Sequence, residues 1–296
     1  MTAEAAADAD APRRANPLLD FCRRQPLGAI SFVVIATMML AGIFSEQVSP
    51  YDPLNIDFAS ILAPPSGDHW FGTDAFGRDI LSRIIHGART ALVIGFLSSF
   101  IGSTSGAVLG AASAYFGGRI DNAIQRVVDV LLAFPIIVLA LVVVAVLGKG
   151  LVLGIDANLI VAIAIPIVPK VARVVRAAAL SVRAMPYVDA ARAAGYGNLR
   201  IICRHMAPNL VAPYLIMLTA YIAQAILLEA SLSFLGLGVT EPTAAWGLML
   251  SGNASDFFRE APWMILFPGL AISLAVFAFS LFGDALRDWL DPRFKT

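Results

Sequence analysis

The sequence predicts an all-α integral membrane protein with six transmembrane helices and both termini cytosolic. Three observations predict it: an apolar composition, charge-free runs of membrane-crossing length, and a lopsided distribution of Lys and Arg. Of the 296 residues, 58% are hydrophobic and only 14% are charged. A soluble domain carries about 25% charged residues, because water must solvate its surface. This chain lacks the groups to do that, so lipid must cover much of it. Basic and acidic residues balance at 21 each, which removes the electrostatic ground for nucleic-acid binding.

The spans follow from where charge is missing. Arg24 to Glu46 encloses 21 uncharged residues, Arg89 to Arg119 encloses 29, and Asp129 to Lys149 encloses 19. His205 to Glu229 and Glu260 to Asp284 enclose 23 each. At 1.5 Å rise per residue, about 20 apolar residues cross the hydrocarbon. A sixth run, Asp156 to Lys170, encloses 13 residues and is interrupted by Pro166 and Pro169. It spans if Lys170 snorkels and the helix continues through Val171, Ala172, Val174 and Val175; otherwise it is re-entrant.

Direction follows from the basic residues. With the N-terminus inside, 16 Lys and Arg fall in inner segments and five in outer ones. The reading divides the chain into a cytosolic tail (1–24), a first span (25–45), and an external loop carrying an interfacial helix (46–88). A five-helix core (89–290) with a cytosolic loop at 180–208 follows, then a cytosolic tail (291–296). The first apolar run is too long for a cleaved signal peptide and is read as a retained anchor. The first 15 residues, rich in Ala and Asp, carry the composition of a disordered segment. Cys22 and Cys203 both fall on the cytosolic side, where a disulfide is not expected.

The loop at 180–208 is the most informative stretch. Pro186 is placed to open a short helix and Gly195 to close it. Asn198 can cap a second helix that stops before Pro208. Ala190, Ala191, Ala193 and Ala194 leave the first helix almost without side chains, so another protein could approach its backbone closely. An ordinary solvated loop is the competing reading.

Here the sequence resembles the permeases of binding-protein-dependent ABC importers. The resemblance is carried by Asp189-Ala190-Ala191, Gly195 four positions on, and Pro208 thirteen beyond that. It implies the type I importer permease fold and a loop that docks into a cytosolic ATPase subunit and passes its closure to the membrane helices. Asp189, Ala190, Ala191, Arg192, Gly195, Arg200, His205, Pro208 and Asn209 are the implied coupling residues, with Arg192 and Arg200 meeting acidic groups on the ATPase. Asp189 replaces the usual glutamate and Ala207 the usual leucine.

A second match narrows the resemblance to dipeptide, oligopeptide and nickel importers. The segment Phe71-Gly72-Thr73-Asp74-Ala75-Phe76-Gly77-Arg78-Asp79 carries it, continuing through Ile80 to Arg83 and Gly87-Ala88-Arg89. Tyr51-Asp52-Pro53 and the run from Glu229 to Gly238 also match. Physically, Ile80, Leu81, Ile84 and Ile85 share one helical face, and Asp79 and Arg83 are i, i+4 partners. An interfacial helix or contact with an external substrate-binding protein would account for the segment.

Further residues carry open alternatives. Glu229 lies within the fifth span, where an ionised group is costly. It either lines the translocation path with Ser231 and Ser233 or holds the bundle together with them. Asp129 is three residues from Arg126 and is expected to pair with it. Ser98, Gly102, Gly106, Gly110 and Ala114 form a small-residue stripe for close helix contact, inside this chain or against a sister subunit.

Catalytic signatures are missing. Gly148-Lys149 is followed by Gly150 where a phosphate-binding loop needs Ser or Thr, and the first glycine of that motif is also missing. Gly102-Ser103-Thr104-Ser105-Gly106 puts threonine where a nucleophile elbow needs serine. Three His and two Cys show no ligand spacing, so no metal site is expected. The resemblance therefore implies a non-enzymatic subunit in the bacterial inner membrane. Its partners would be a sister permease, two cytosolic ATPase subunits that bind ATP and Mg, an external binding protein, and membrane lipid. Alternating access would carry short peptides, or alternatively nickel chelates, glutathione or haem. A gradient-driven carrier is the rival of another class; such carriers are often built from two repeated halves with interrupted helices, and no repeat is present here.

Overall fold

The computed structural model describes residues 22–23, 25–152 and 155–290. The tail expected at 1–24, apart from residues 22–23, the tail expected at 291–296 and the disorder expected of the first 15 residues lie outside the described residues. Helix α1 (Pro26–Ile43) opens on a proline at its first turn, where a missing N–H costs nothing. It is apolar all round, and Leu27, Ile30, Phe32, Val33 and Leu40 are exposed while Gly28, Ser31 and Gly42 are buried. Such a helix needs lipid on its open side.

A one-turn helix α2 (Ser45–Val48) and a 3₁₀ turn (Phe58–Ser60) lead to the central helix α3 (Ile80–Phe116). Its 37 residues are capped by Asp79, whose side chain accepts from the Ser82 N–H at 2.8 Å. A separate interfacial helix was expected within 46–88, but Ile80 and Ile84 belong to the first turns of α3 itself. The chain from α1 to α3 is correspondingly shorter than the sequence suggests. Gly117, with φ +65°, ends the helix.

Helices α4 (Gly118–Leu132) and α5 (Ile136–Leu147) meet at 96° around Pro135. The third span is therefore a bent pair, because Pro135 has no N–H to continue the ladder. A two-residue antiparallel pair, β1 (Leu151–Val152) and β2 (Ile155–Asp156), follows in register Leu151 opposite Asp156. Helices α6 (Ala157–Ala164) and α7 (Ile167–Arg183) are bent by 43° at Pro166, and α7 runs well past Lys170. The continuation expected for the sixth run is present, with Val171, Ala172 and Val175 buried.

Two short helices, α8 (Pro186–Ala193) and α9 (Asn198–Ile201), precede a π-turn at Ile202–Met206 and helix α10 (Ala207–Phe234). One-turn helices α11 (Trp246–Met249) and α12 (Asn253–Asp256) then lead to α13 (Trp263–Leu290). Among the described residues four helices are long and apolar enough to cross a membrane, or up to six if each bent pair counts as one span.

Helix α3 organises the bundle. The small-residue stripe faces α6 and α7 within this chain: a Cβ on Gly102 would lie 2.8 Å from the Ala164 carbonyl oxygen, and one on Gly106 would lie 2.6 Å from that of Val168. A Cβ on Gly110 would strike the Ala172 carbonyl oxygen. Backbones this close require glycine. One core joins α3, α6, α7 and α10 through Ile94, Ile163, Ile167, Val171, Val175 and Leu228, and extends to Val188, Ile201 and Met206. A second joins α1, α3, α10 and α13 around Ile35, Ala91, Ile226, Trp246, Ile272 and Phe279.

Candidate functional site

The basic segment after α7 is built as a rigid projection. Met185 is extended, and Pro186 pre-sets the first turn of α8. At the other end Gly195 has φ +77°; its N–H donates to the Arg192 carbonyl at 2.9 Å and that of Tyr196 to the Ala191 carbonyl at 3.1 Å. That crossed pair is a Schellman closure, which needs a residue that tolerates the left-handed region. Val188 and Ala191 are buried in the core, while Asp189, Ala190, Arg192, Ala193 and Ala194 face outward. The side-chain-poor face expected from the alanines is therefore Ala190, Ala193 and Ala194, with Ala191 turned inward as part of the anchor.

Tyr115, at the end of α3, braces the projection. Its hydroxyl donates to Asn198 Oδ1 at 2.8 Å, and the Arg192 guanidinium lies 5.3 Å from its ring centre. Asn198 does not cap the second helix; Gly197 does, and the side chain of Asn198 serves Tyr115 instead. Nor does the second helix stop before Pro208. It passes through the π-turn into α10, whose first turn accommodates that proline. A proline cannot donate to the preceding turn, and a wide π-turn relieves the crowding it would cause.

Asn209 Nδ2 donates to Tyr187 Oη and the His205 carbonyl, both at 3.0 Å, fastening the root of α8 to that of α10. The exposed Arg192 pairs with Asp189 at 3.1 Å, and Arg200 stacks over Tyr196 at 4.2 Å. His205 packs against Tyr196, with ring centres 5.7 Å apart. Nothing in the sequence pattern marked Tyr115, because an aromatic residue at a helix end has no motif of its own.

At the opposite end of α3, the segment 57–83 folds around a buried ion-pair network. Asp74 accepts from the Phe76 and Arg78 N–H groups at 2.8 and 3.0 Å, and from Arg78 Nε at 2.6 Å. Arg78 and Arg83 both reach Glu241, at 2.8 and 3.4 Å, so the loop after α10 is tied to the chain before α3. Burial would lower the Arg78 guanidinium, but the Glu241 and Asp74 carboxylates outweigh it and hold it above its ordinary value.

Asp79 does not pair with Arg83 as i, i+4 spacing suggested. It is spent on the α3 cap and on His69 Nδ1 at 2.9 Å, which points its carboxylate away from the helix face. The Thr73 hydroxyl donates to the Ser60 carbonyl and accepts from the Ala63 N–H. Gly72 and Gly77 sit at φ +73° and +74°; Cβ atoms there would strike Ala63, Trp263 or Asp57. The turn chemistry of this motif is legible in sequence, but Glu241, 163 residues from Arg78, carried no signal.

Glu229 is fully buried between helices and accepts from Ser233 Oγ at 2.7 Å; that hydroxyl also accepts from the Val239 N–H at 3.1 Å. Ser231 is half-buried and bonds to its own helix through the Leu227 carbonyl. Of the three, the structure brings Glu229 and Ser233 together and leaves Ser231 apart. Asp129 pairs with Arg173 of α7 rather than with Arg126, because its side chain faces the neighbouring helix.

Similarity to known proteins fits this architecture. The solved MetNI methionine ABC transporter contains a chain that superposes with a TM-score of 0.55 at 18% identity, covering 72% of this chain and 98% of that one. The two share the type I importer permease fold: an all-helical membrane protein. The family described as "binding-protein-dependent transport system inner membrane component" matches residues 106–296. The dipeptide transport system permease protein DppC of Alkalihalophilus pseudofirmus is 41% identical over 93% of this chain and 88% of its own. A glutathione transport system permease protein GsiD of Escherichia coli is 42% identical over 92% and 88%. A putative peptide transport system permease protein of Brucella suis is 42% identical over 90% and 88%. The chain belongs to the family of binding-protein-dependent transport system inner membrane components, and is a multi-pass membrane protein.

Proposed function

We propose that this chain and a sister permease form the translocation path of an ATP-driven importer of short peptides. Residues 186–209 form its coupling segment. The termini are cytosolic, and two ATPase subunits bind ATP and Mg and hydrolyse the nucleotide; this chain contributes no catalytic group. The outer segment carrying Gly72, Thr73, Asp74, Gly77, Arg78 and Asp79 faces an external substrate-binding protein. The names of the relatives support peptide cargo, glutathione being itself a short peptide.

The observation that carries the coupling reading is the shape of α8. Its inner residues Val188 and Ala191 are locked into the same core as α3, α7 and α10, while its outer face offers little beyond backbone. A push on that face must move the core with it, because packed interiors transmit displacement rather than absorbing it. Asp189, Arg192 and Arg200 stand on its rim, where charge gives orientation and specificity more than affinity.

An Ala190→Trp chain tests this. Ala190 is exposed, so tryptophan fits the isolated chain and blocks only an approaching partner. Pull-down from membranes should recover less ATPase subunit than wild type, and peptide uptake should fall by an order of magnitude or more. Unchanged recovery together with unchanged uptake would remove α8 from the coupling site.

A further inference from the structure

Beside the ion-pair network lies a cavity of about 240 Å³. Its lining includes the charged Asp74, Arg78, Arg83 and Glu241 and the apolar Ile80, Leu248, Met249 and Met264. Ligand pockets commonly run to about 300–1,000 Å³, so this one suits a single residue rather than an extended chain. We propose that Arg78 and Arg83 form a seat for the free carboxylate of an amino acid or peptide end whose apolar side chain fills the cavity, and that Glu241 occupies this seat in the unliganded protein.

The two carboxylates of the network are held differently. Asp74 is fixed by two backbone N–H groups and by Arg78 Nε, so it is a permanent part of the seat. Glu241 is 49% exposed, and among the described residues its side chain bonds only to the two guanidinium groups. It can swing into water without stranding a backbone group. Arg83 is the opposite case: its side chain is 1% exposed and its contacts are long, 3.3 Å to the Pro53 carbonyl, 3.4 Å to Glu241 and 3.9 Å to Asp74. A buried guanidinium with loose partners favours a better-placed carboxylate, since bidentate contact with a planar fork is the strongest pairing available to it.

Charge bookkeeping limits the ligand. Two arginines against Asp74 and Glu241 make the network neutral, so one incoming carboxylate can replace Glu241 without leaving an unpaired buried charge. Asp79 does not compete, being engaged by His69 and by the cap of α3. An amide or an amine in place of the carboxylate would leave one positive charge in excess when Glu241 leaves, with Asp74 alone facing the two guanidinium groups. The apolar wall then selects for a side chain such as leucine or methionine. This inference does not depend on the direction of transport or on the ATPase contact.

The test is equilibrium binding of radiolabelled Gly-Leu to the full chain in lipid nanodiscs, with whatever subunits purify with it. Glu241→Gln removes the competing carboxylate and keeps its shape, so Gly-Leu should bind about tenfold tighter than to wild type. Gly-Leu amide should not compete at concentrations where Gly-Leu does. Leu248→Trp fills the cavity while leaving both arginines in place, and should abolish the gain seen with Glu241→Gln. A merely structural tie predicts the reverse, because loosening it would weaken or leave unchanged any binding. Equal binding of acid and amide, no gain in Glu241→Gln, or a gain that survives Leu248→Trp would each overturn the proposal.

Discussion

Replacing Gly106 with alanine should weaken the bundle by more than any exposed substitution of similar size. The new Cβ would lie 2.6 Å from the Val168 carbonyl oxygen, 2.8 Å from Val171 Cβ and 3.1 Å from the Ala172 nitrogen. Two of these neighbours are backbone, so no side chain can rotate away. Restoring a contact of about 3.4 Å requires α3 and α7 to part by about 0.8 Å. A gap of ~0.5–1 Å forfeits a quarter to a half of each dispersion well along the seam, and overpacking of this kind costs about 1–3 kcal/mol. Alanine recovers part of that, because glycine within a helix costs ~0.5–1 kcal/mol.

At roughly 2–4 °C per kcal/mol for a large domain, the chain should lose several degrees of thermal stability in nanodiscs. Gly269→Ala is the internal control. It lies within α13 with nothing near its Cβ position, so alanine there should be neutral or stabilising. If Gly106→Ala proves as stable as Gly269→Ala, the close approach of α3 to α7 does not govern the bundle and the reasoning fails.

Other expectations follow from single contacts. Ser233→Ala deprives Glu229 of its donor and the Val239 N–H of its acceptor, and should cost about 1–3 kcal/mol, read as a fall in unfolding temperature. Asp74→Asn leaves Arg78 and Arg83 with Glu241 alone and should cost about 3 kcal/mol or more; a variant that purifies and melts as wild type would contradict the network. Tyr115→Phe loses one hydrogen bond, about 1 kcal/mol, yet should lower peptide uptake several-fold by freeing the root of α8. Uptake equal to wild type would mean that Tyr115 is only a local tie. Asp57 lies below its ordinary carboxylate range because it accepts from the Ala59 N–H and the Ser60 hydroxyl. A lowered carboxylate stabilises above its unfolded value and loses that contribution as pH falls through the folded one. The protection of the Ala59 amide against exchange, relative to its intrinsic rate at each pH, should therefore fall only in acid, below the ordinary value of 3.8.

The sequence by itself determined what local chemistry controls. Lipid-exposed helices show as long uncharged runs, because every charge in hydrocarbon is costly, and helix ends show where Pro and Gly set the backbone. Pro186 and Gly195 therefore marked the two ends of α8, and Pro166 marked the break between α6 and α7, whereas Pro169, also read as an interruption, lies in the first turn of α7, where no N–H is needed. Composition alone also placed the chain in a membrane, and the spacing from Asp189 to Pro208 pointed to the family.

Only the tertiary structure decided the partners of side chains that reach across the fold. Helical spacing assigns Asp79 to Arg83 and Asp129 to Arg126, yet they pair with His69 and Arg173, because a cap or a neighbouring helix outbids an i, i+3 or i, i+4 contact worth ~0.2–0.5 kcal/mol. The glycine stripe announced a close contact, but whether α7 or another subunit filled it depended on how the chain turned at Gly117 and Pro135. Tyr115 and Glu241 carry no pattern at all. Their roles come from segments 83 and 163 residues away in the chain, and such distances are set by packing, which no local period encodes.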